Sequence, residues 1–232
     1  AETLGKAEDA KYFEERSHSY RNYFDPATRF MRGRDSKKGW RTPFNAFAST
    51  HRADDYCEGN AWQYTWLAPH DVKGLEGLFG SRAKMIEKLD SLFTVSSVIE
   101  GGETSPDISG LIGQYAHGNQ PIQHMIYLYS YAGQPWKTQY WSRQITGRLY
   151  NSSERGYPGD EDQGGMSSWY ILSSLGIYSV CPGTDQYVLG SPVFRKATIT
   201  MEDGRKFVIE ADGNSQQNVY IQSATLNGKP LD

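Results

Sequence analysis

The sequence predicts a mainly α-helical unit followed by a β-rich C-terminal segment, with the change falling at Gly176. Two observations carry this. Up to Gly176, apolar residues recur at helical spacing between Gly-rich loops. Beyond it, short β-prone runs alternate with Asp-Gly and Asn-Gly turns. The helices read as pairs that present loops at one end, which suggests an α/α toroid. A simple helical bundle fits the same periodicity.

The chain opens at Ala1 in a helix-like segment, without an initiator Met or a signal peptide, as expected of a piece of a longer protein. That first helix, residues 4–24, should stop at Asp25-Pro26. Ala83, Ile86, Leu89 and Phe93 share one helical face behind a possible Ser81 cap. Asn119 can cap a helix with Pro121 in its first turn and Ile122, Ile126 and Tyr129 along one side. Pro135 can open the next helix, through Trp136, Tyr140 and Leu149, and a last one should run over residues 162–175 and stop at Gly176. Long loops at 33–45, 100–118 and 151–159 are natural places for a site. After Gly176, residues 177–180, 187–189, 197–201, 206–210 and 218–223 read as antiparallel strands, with turns at Asp203-Gly204, Asp212-Gly213-Asn214 and Asn227-Gly228. This gives a helical part, 1–176, and a β-rich part, 177–232.

A chain of 232 residues is long enough to bury a core. Hydrophobic residues are 38% and charged residues 22%, which excludes a disordered tail. No apolar run approaches the ~20 residues that span a bilayer. A net charge of -3 gives no general attraction for nucleic acid or anionic lipid. Cys57 and Cys181 are too few for a disulfide framework, and the sequence does not decide whether they pair. Six Trp and 16 Tyr suit recognition of sugar C–H faces, although most single rings are expected to pack a core.

Three stretches could do chemistry. Asp54, Asp55 and Glu58 lie within five positions of one another, beside Asn60, Gln63 and two Trp. A carboxyl group held among rings is pushed toward its protonated form, as a general acid requires. Glu58 is preferred because Trp62 follows at i+4 and walls it in if the stretch is helical; a solvated acidic turn has equal weight. In Asp160-Glu161-Asp162-Gln163-Gly164-Gly165, acids at a helix start would be held ionised by the dipole, as a general base requires, and ordinary capping is compatible with that. Capping does not explain Gly164-Gly165, which points to close approach of a ligand or partner. In His117-Gly118-Asn119-Gln120-Pro121-Ile122-Gln123-His124, amides and imidazoles suit hydroxyl recognition or oxygen ligation of a hard cation, and make a poor zinc site. From spacing alone, a capped helix with a core His124 is favoured. The acidic loop from Glu100 to Asp107 lacks EF-hand spacing, and serine-hydrolase and phosphate-loop motifs are absent.

Taken together, Glu58-Gly59-Asn60-Ala61-Trp62-Gln63-Tyr64, Gly118-Asn119-Gln120-Pro121 with His124, Tyr127-Leu128-Tyr129 through Ala132-Gly133-Gln134-Pro135-Trp136, and Gly159-Asp160-Glu161-Asp162-Gln163-Gly164 resemble the α-mannosidases of glycoside hydrolase family 92. The resemblance runs in consistent order over residues 4–194. It implies a calcium-dependent, inverting exo-α-mannosidase with an (α/α)6-barrel catalytic domain, acting on mannose-containing glycans. Glu58 is similar to the family's general acid, and Asp160 and Asp162 resemble its paired base carboxylates. Trp62, Asn119, Gln120 and His124 are the candidate substrate-binding residues, and Gln120 and Asp162 the candidate calcium ligands. The partners implied are an N-terminal β-sandwich domain and the early barrel helices of a parent chain. The present chain is therefore expected to be the C-terminal portion of the catalytic module, and activity of this piece alone is not implied. Many α-1,2-specific relatives have Glu where this chain has Gln120. A neutral amide there removes a charge that would repel phosphate, so a strict α-1,2 linkage is not expected. The resemblance also implies a secreted, periplasmic or cell-surface protein. The alternatives are a non-catalytic carbohydrate-binding or scaffold fragment, and a glucoamylase-like α/α-barrel glycosidase.

Overall fold

The computed structural model describes residues 1–37, 39–52 and 54–231, so one position of the predicted loop 33–45 and the last of the segment 177–232 lie outside the described residues. The helices are α1 (Ala7–Ser17), α2 (Ala61–Tyr64), α3 (Val72–Leu78), α4 (Arg82–Thr94), α5 (Leu128–Tyr131), α6 (Pro135–Arg148) and α7 (Gly165–Leu175). The strands form antiparallel pairs: β1 (Phe24–Asp25) with β2 (Phe30–Met31), β3 (Leu111–Ile112) with β4 (Tyr115–Ala116), β5 (Ile177–Tyr178) with β6 (Val188–Leu189), β7 (Lys196–Thr200) with β8 (Lys206–Glu210), and β9 (Thr225–Leu226) with β10 (Lys229–Pro230). The chain is thus mainly helical with short antiparallel strand pairs.

Local chemistry accounts for most of these elements. The Ser81 hydroxyl accepts from the Lys84 amide and starts α4, whose Met85, Leu89, Leu92 and Phe93 are buried. Pro135 sits in the first turn of α6, where its missing N–H costs nothing. Gly176, at φ 82, ends α7 in the left-handed conformation. Asn227 and Gly228, at φ 51 and 77, turn β9 back onto β10.

Three expectations need correction. The first helix is broken, with α1 spanning Ala7–Ser17 between short 3-10 turns at Glu2–Leu4 and Ser19–Tyr23. It buries no residue, and a strong hydrophobic face is what holds a long helix together. Asn119 makes no capping bond, and the segment after it runs as 3-10 turns, Gln120–Ile122 and Met125–Tyr127, before α5. Residues 218–223 form no strand; the final pairing is β9 with β10, at the strong Asn-Gly turn signal.

Aromatic rings dominate the core, with Trp66, Trp169, Tyr115, Tyr127 and Tyr129 fully buried. Trp141 stacks on Phe93 at 4.2 Å between ring centres and Tyr178 on Tyr127 at 4.3 Å, the latter fastening β5 to the helices. The Arg143 guanidinium on α6 donates to the carbonyls of Pro192 and Ser215 and to the Asn214 side chain, tying the β-rich tail to the helical part. Cys57 and Cys181 are both free thiols.

Candidate active site

Three carboxylates compete for attention near residue 58, and hydrogen bonding separates them. Asp54 accepts from the backbone amides of Thr50 and Tyr56, and Asp55 from the Gly33 amide and the Arg41 guanidinium. Asp54 thus shapes its own loop, and Asp55 holds the segment of Gly33 and Arg41. Glu58 is half-buried, and its carboxylate meets a single side chain, with Asn119 Nδ2 3.5 Å from its Oε2. The same Asn119 amide donates to the Glu58 carbonyl at 3.0 Å.

Glu58 is not helical, so Trp62 does not wall it in at i+4. Asn60 caps α2 instead, accepting from Trp62 N, while Gln63 returns a bond to Asn60 N, a reciprocal capping box. The ring beside Glu58 is Tyr64, whose hydroxyl accepts from the Glu58 amide at 2.9 Å. A buried amide cluster fixes this turn to the β3–β4 hairpin: Asn60 Nδ2 donates to Gln114 Oε1, and Gln63 Nε2 to the Gln114 carbonyl, both at 2.9 Å. Gln114 does not stand out in the sequence, since a lone glutamine has no periodic signature.

The second stretch also departs from expectation. Asp162, Gln163 and Gly164 have φ of 44, 58 and 94, three left-handed residues in succession that delay α7 until Gly165. Such backbone costs about 1 kcal/mol or more at each non-Gly residue and persists only where surroundings enforce it. Asp160 and Asp162 are exposed and do not cap the helix. Glu161 takes that place, its Oε1 accepting from the Ser167 amide at 3.2 Å while its buried Oε2 has no hydrogen-bond partner. Only tertiary folding distinguishes the middle acid of three in a row. The close approach signalled by Gly165 is by Gln120, because a Cβ at Gly165 would lie 2.7 Å from Gln120 Cγ.

The third stretch brings the other two together. Gln120 Nε2 donates to the Asp160 carbonyl at 2.6 Å, so two consecutive residues reach Glu58 on one side and the Asp160 loop on the other. Glycines permit the contact behind them, since a Cβ at Gly159 would fall 2.3 Å from the Gly118 carbonyl oxygen. His117, fully buried, anchors the segment through Tyr115 on Nδ1 and Tyr150 on Nε2, at 2.8 and 2.7 Å. Burial lowers its pKa to about 3, so the ring is neutral. The Tyr150 hydroxyl, whose pKa is raised by burial and then by the Glu161 charge, continues the chain to Met166 Sδ at 3.2 Å.

Two of the sequence-predicted substrate residues lie in the packing rather than at this junction. Trp62 stands edge-on to Phe30 beneath the Lys88 ammonium, which is 4.2 Å from the Trp62 ring centre. Each His124 ring nitrogen faces a backbone carbonyl, of Pro121 at 3.0 Å and of Trp66 at 2.9 Å, and burial lowers its pKa against the pull of those carbonyls. Among the described residues a cavity of 290 Å³ also borders this region, with Tyr64 in its wall alongside Tyr20, Tyr23, Asp55 and Tyr56.

For a hard cation the donor chemistry fits. Gln120 donates through Nε2 to the Asp160 carbonyl, and among the described residues no hydrogen bond is made to its Oε1. Glu161 Oε2 is an orphaned buried oxygen in the same loop, and Asp162 adds an exposed carboxylate. No three His, Cys, Asp or Glu gather among the described residues, so amide, water or ligand oxygens would have to complete a shell of the size calcium takes.

Glu58 and the Asp160 loop are thus tied to two neighbouring amide side chains on one packed segment. Over residues 1–232 the chain matches the glycosyl hydrolase family 92 catalytic domain. The chain belongs to this family. It is similar to the family GH92 α-mannosidase of Bacteroides thetaiotaomicron solved with mannoimidazole, at 40% identity and a TM-score of 0.91, covering 100% of this chain and 31% of that one. A family GH92 inverting mannosidase from Bacteroides thetaiotaomicron VPI-5482 gives 42% identity and a TM-score of 0.84, over 100% of this chain and 32% of that one. An uncharacterized secreted glycosidase of Arthroderma benhamiae is 28% identical over 97% of this chain and 30% of its own length. The chain therefore spans about a third of the length of these relatives.

Proposed function

We propose that this chain is part of a calcium-dependent exo-α-mannosidase that removes terminal mannose from glycans with inversion at C1. Residues 1–176 would supply part of an (α/α)6 barrel and 177–232 a β-rich segment behind it, with an N-terminal β-sandwich domain and further barrel helices as partners in the parent protein. The likeness to inverting and mannoimidazole-bound relatives supports the reaction class. The observation that carries the site is the pair of bonds from Asn119 to Glu58 and from Gln120 to Asp160.

In this reading, Glu58 gives its proton to the glycosidic oxygen as the bond from that oxygen to C1 breaks. A water held by Asp160 and Asp162 attacks C1 from the opposite face and loses a proton to one of those carboxylates. The products are free mannose of inverted configuration and the released alcohol; Glu58 is left ionised and one Asp protonated until solvent resets them. Inversion requires about 6.5–9.5 Å between acid and base carboxyls, room for one water. Gln120 Oε1 and Asp162, with Glu161, would hold calcium, which supplies charge to draw the sugar's O2 and O3 and to favour a distorted ring. Asn119 and Gln120 face the same junction and can meet sugar hydroxyls.

The neutral Gln120 favours a linkage range wider than α-1,2, including mannose joined through phosphodiester, because no carboxylate there repels phosphate. The Arthroderma relative's secreted character and the absence, among the described residues, of any helix able to cross a membrane are compatible with action on external glycans such as N-glycans. The test is an assay of the complete enzyme, with and without chelator, on α-1,2-, α-1,3-, α-1,6- and phosphate-linked mannosides. Release of mannose that needs calcium and spans several linkages is expected. Calcium-independent turnover, or strict α-1,2 preference, overturns the corresponding part.

A further inference from the structure

The two amides at the junction belong to neighbouring residues, which constrains them together. Asn119 has extended backbone, φ -109 and ψ 122, and Gln120 opens the 3-10 turn that follows it. The side chain of Asn119 reaches the Glu58 segment while that of Gln120 reaches the Asp160 loop, through 3.0 and 2.6 Å bonds to main-chain oxygens. Bonds to main chain hold the two segments while leaving their carboxyl groups available. The additional 3.5 Å contact from Asn119 to Glu58 Oε2 leaves Glu58 Oε1 as the oxygen free to carry the proton.

The bridge itself is stiff. His117 is pinned on both ring nitrogens, and its carbonyl accepts from Gln123 Nε2 at 3.2 Å. Residues 113–119 and 122–129 are all buried, so the half-exposed Gln120 and exposed Pro121 are the one opening in a packed run. We propose that Asn119-Gln120 is a two-armed positioning unit that sets the spacing between acid and base segments, in addition to any contact with sugar. This rests on the acid–base reading of Glu58 and Asp160. It has a consequence for position 120: glutamate there would set an acceptor against the Asp160 carbonyl, so exchanging Gln for Glu would disturb the base loop as well as the leaving-group preference.

The test uses the complete enzyme with Asn119→Ala, Asn119→Asp, Gln120→Ala and Gln120→Glu, assayed on methyl and 2,4-dinitrophenyl α-mannosides. Hydrogen exchange of the amides of residues 160–166 is followed alongside. A dinitrophenolate leaves without a proton, so Asn119→Ala should lower kcat about 100-fold on the methyl mannoside and under about 3-fold on the activated one. Gln120→Ala should lower kcat on both by similar factors and speed exchange in the loop. Gln120→Glu should do the same despite its equal size, and Asn119→Asp should follow Asn119→Ala. The proposal is overturned if the variants raise KM with kcat unchanged, or if exchange in the loop does not respond to Gln120. Should Glu58→Gln leave hydrolysis intact, the acid assignment fails; the exchange measurement needs no turnover and still decides the bridge.

Discussion

The segment around Asn119 and the C-terminal hairpins are built in opposite ways. From Gly113 to Tyr129 almost every side chain is buried, and most polar side chains there find a partner distant in sequence, as Asn119 does in Glu58 and His124 in Trp66. From Pro192 to Leu231 no residue is buried, and apart from the bonds to Gln139 and Arg143 on α6 the structure rests mainly on neighbouring strands and turn residues. The first region is held by tertiary contacts and can position chemistry within narrow limits. The second is held by local pairing, and a two-stranded hairpin is only marginally stable by itself. A site belongs on the first kind.

Glu58→Gln tests that placement with the largest effect. It should lower kcat on an alkyl mannoside by about 10²–10⁴-fold while thermal unfolding is unchanged, since Glu58 is half-buried and tied through its backbone. An undiminished rate would remove the chemistry from the rigid region. Next comes Trp169→Ala, which empties the space against His117 and Tyr150 and should destabilise by about 3–5 kcal/mol in denaturant unfolding. A loss below about 1 kcal/mol, a third of the smallest expected cost, would show that this core is not the stiff half.

Acid should also act on the packed region. His117 has a folded-state pKa near 3 against 6.5 in the unfolded chain, so below pH 6.5 the unfolded state takes up a proton that the native state refuses. Stability is full above that pH and should fall by about 1.4 kcal/mol per unit as pH drops toward 3. His117→Gln should flatten this part of the curve, measured as the unfolding midpoint against pH. The smallest effect belongs to Asn227→Ala at φ 51, expected to cost about 1 kcal/mol and to loosen β9–β10 in hydrogen exchange without touching residues 113–129.

Much of the helical part was legible from local rules. α4 follows from its apolar spacing and Ser81, α6 from Pro135, and the end of α7 from Gly176. The start of α7 was not, because Asp162 and Gln163 adopt left-handed backbone in succession, which short-range spacing does not signal. The cap expected of Asn119 is missing: its side chain donates to the Glu58 carbonyl, and the segment it precedes is a three-residue 3-10 turn. Trp62 and His124 are buried in the fold, a placement that their residue types do not reveal in the sequence.

By itself the sequence determined the family, the helical character of the first part, the hairpin turns and the acids able to serve as Glu58 and Asp160, because these depend on residue type and short-range spacing. Which of three neighbouring carboxylates keeps only one side-chain contact, which acid turns inward at 161, and that Asn119 and Gln120 join segments about a hundred residues apart were decided by tertiary structure. Hydrogen bonds and burial between distant parts of a chain have no periodicity to read, and exist only once the chain has folded.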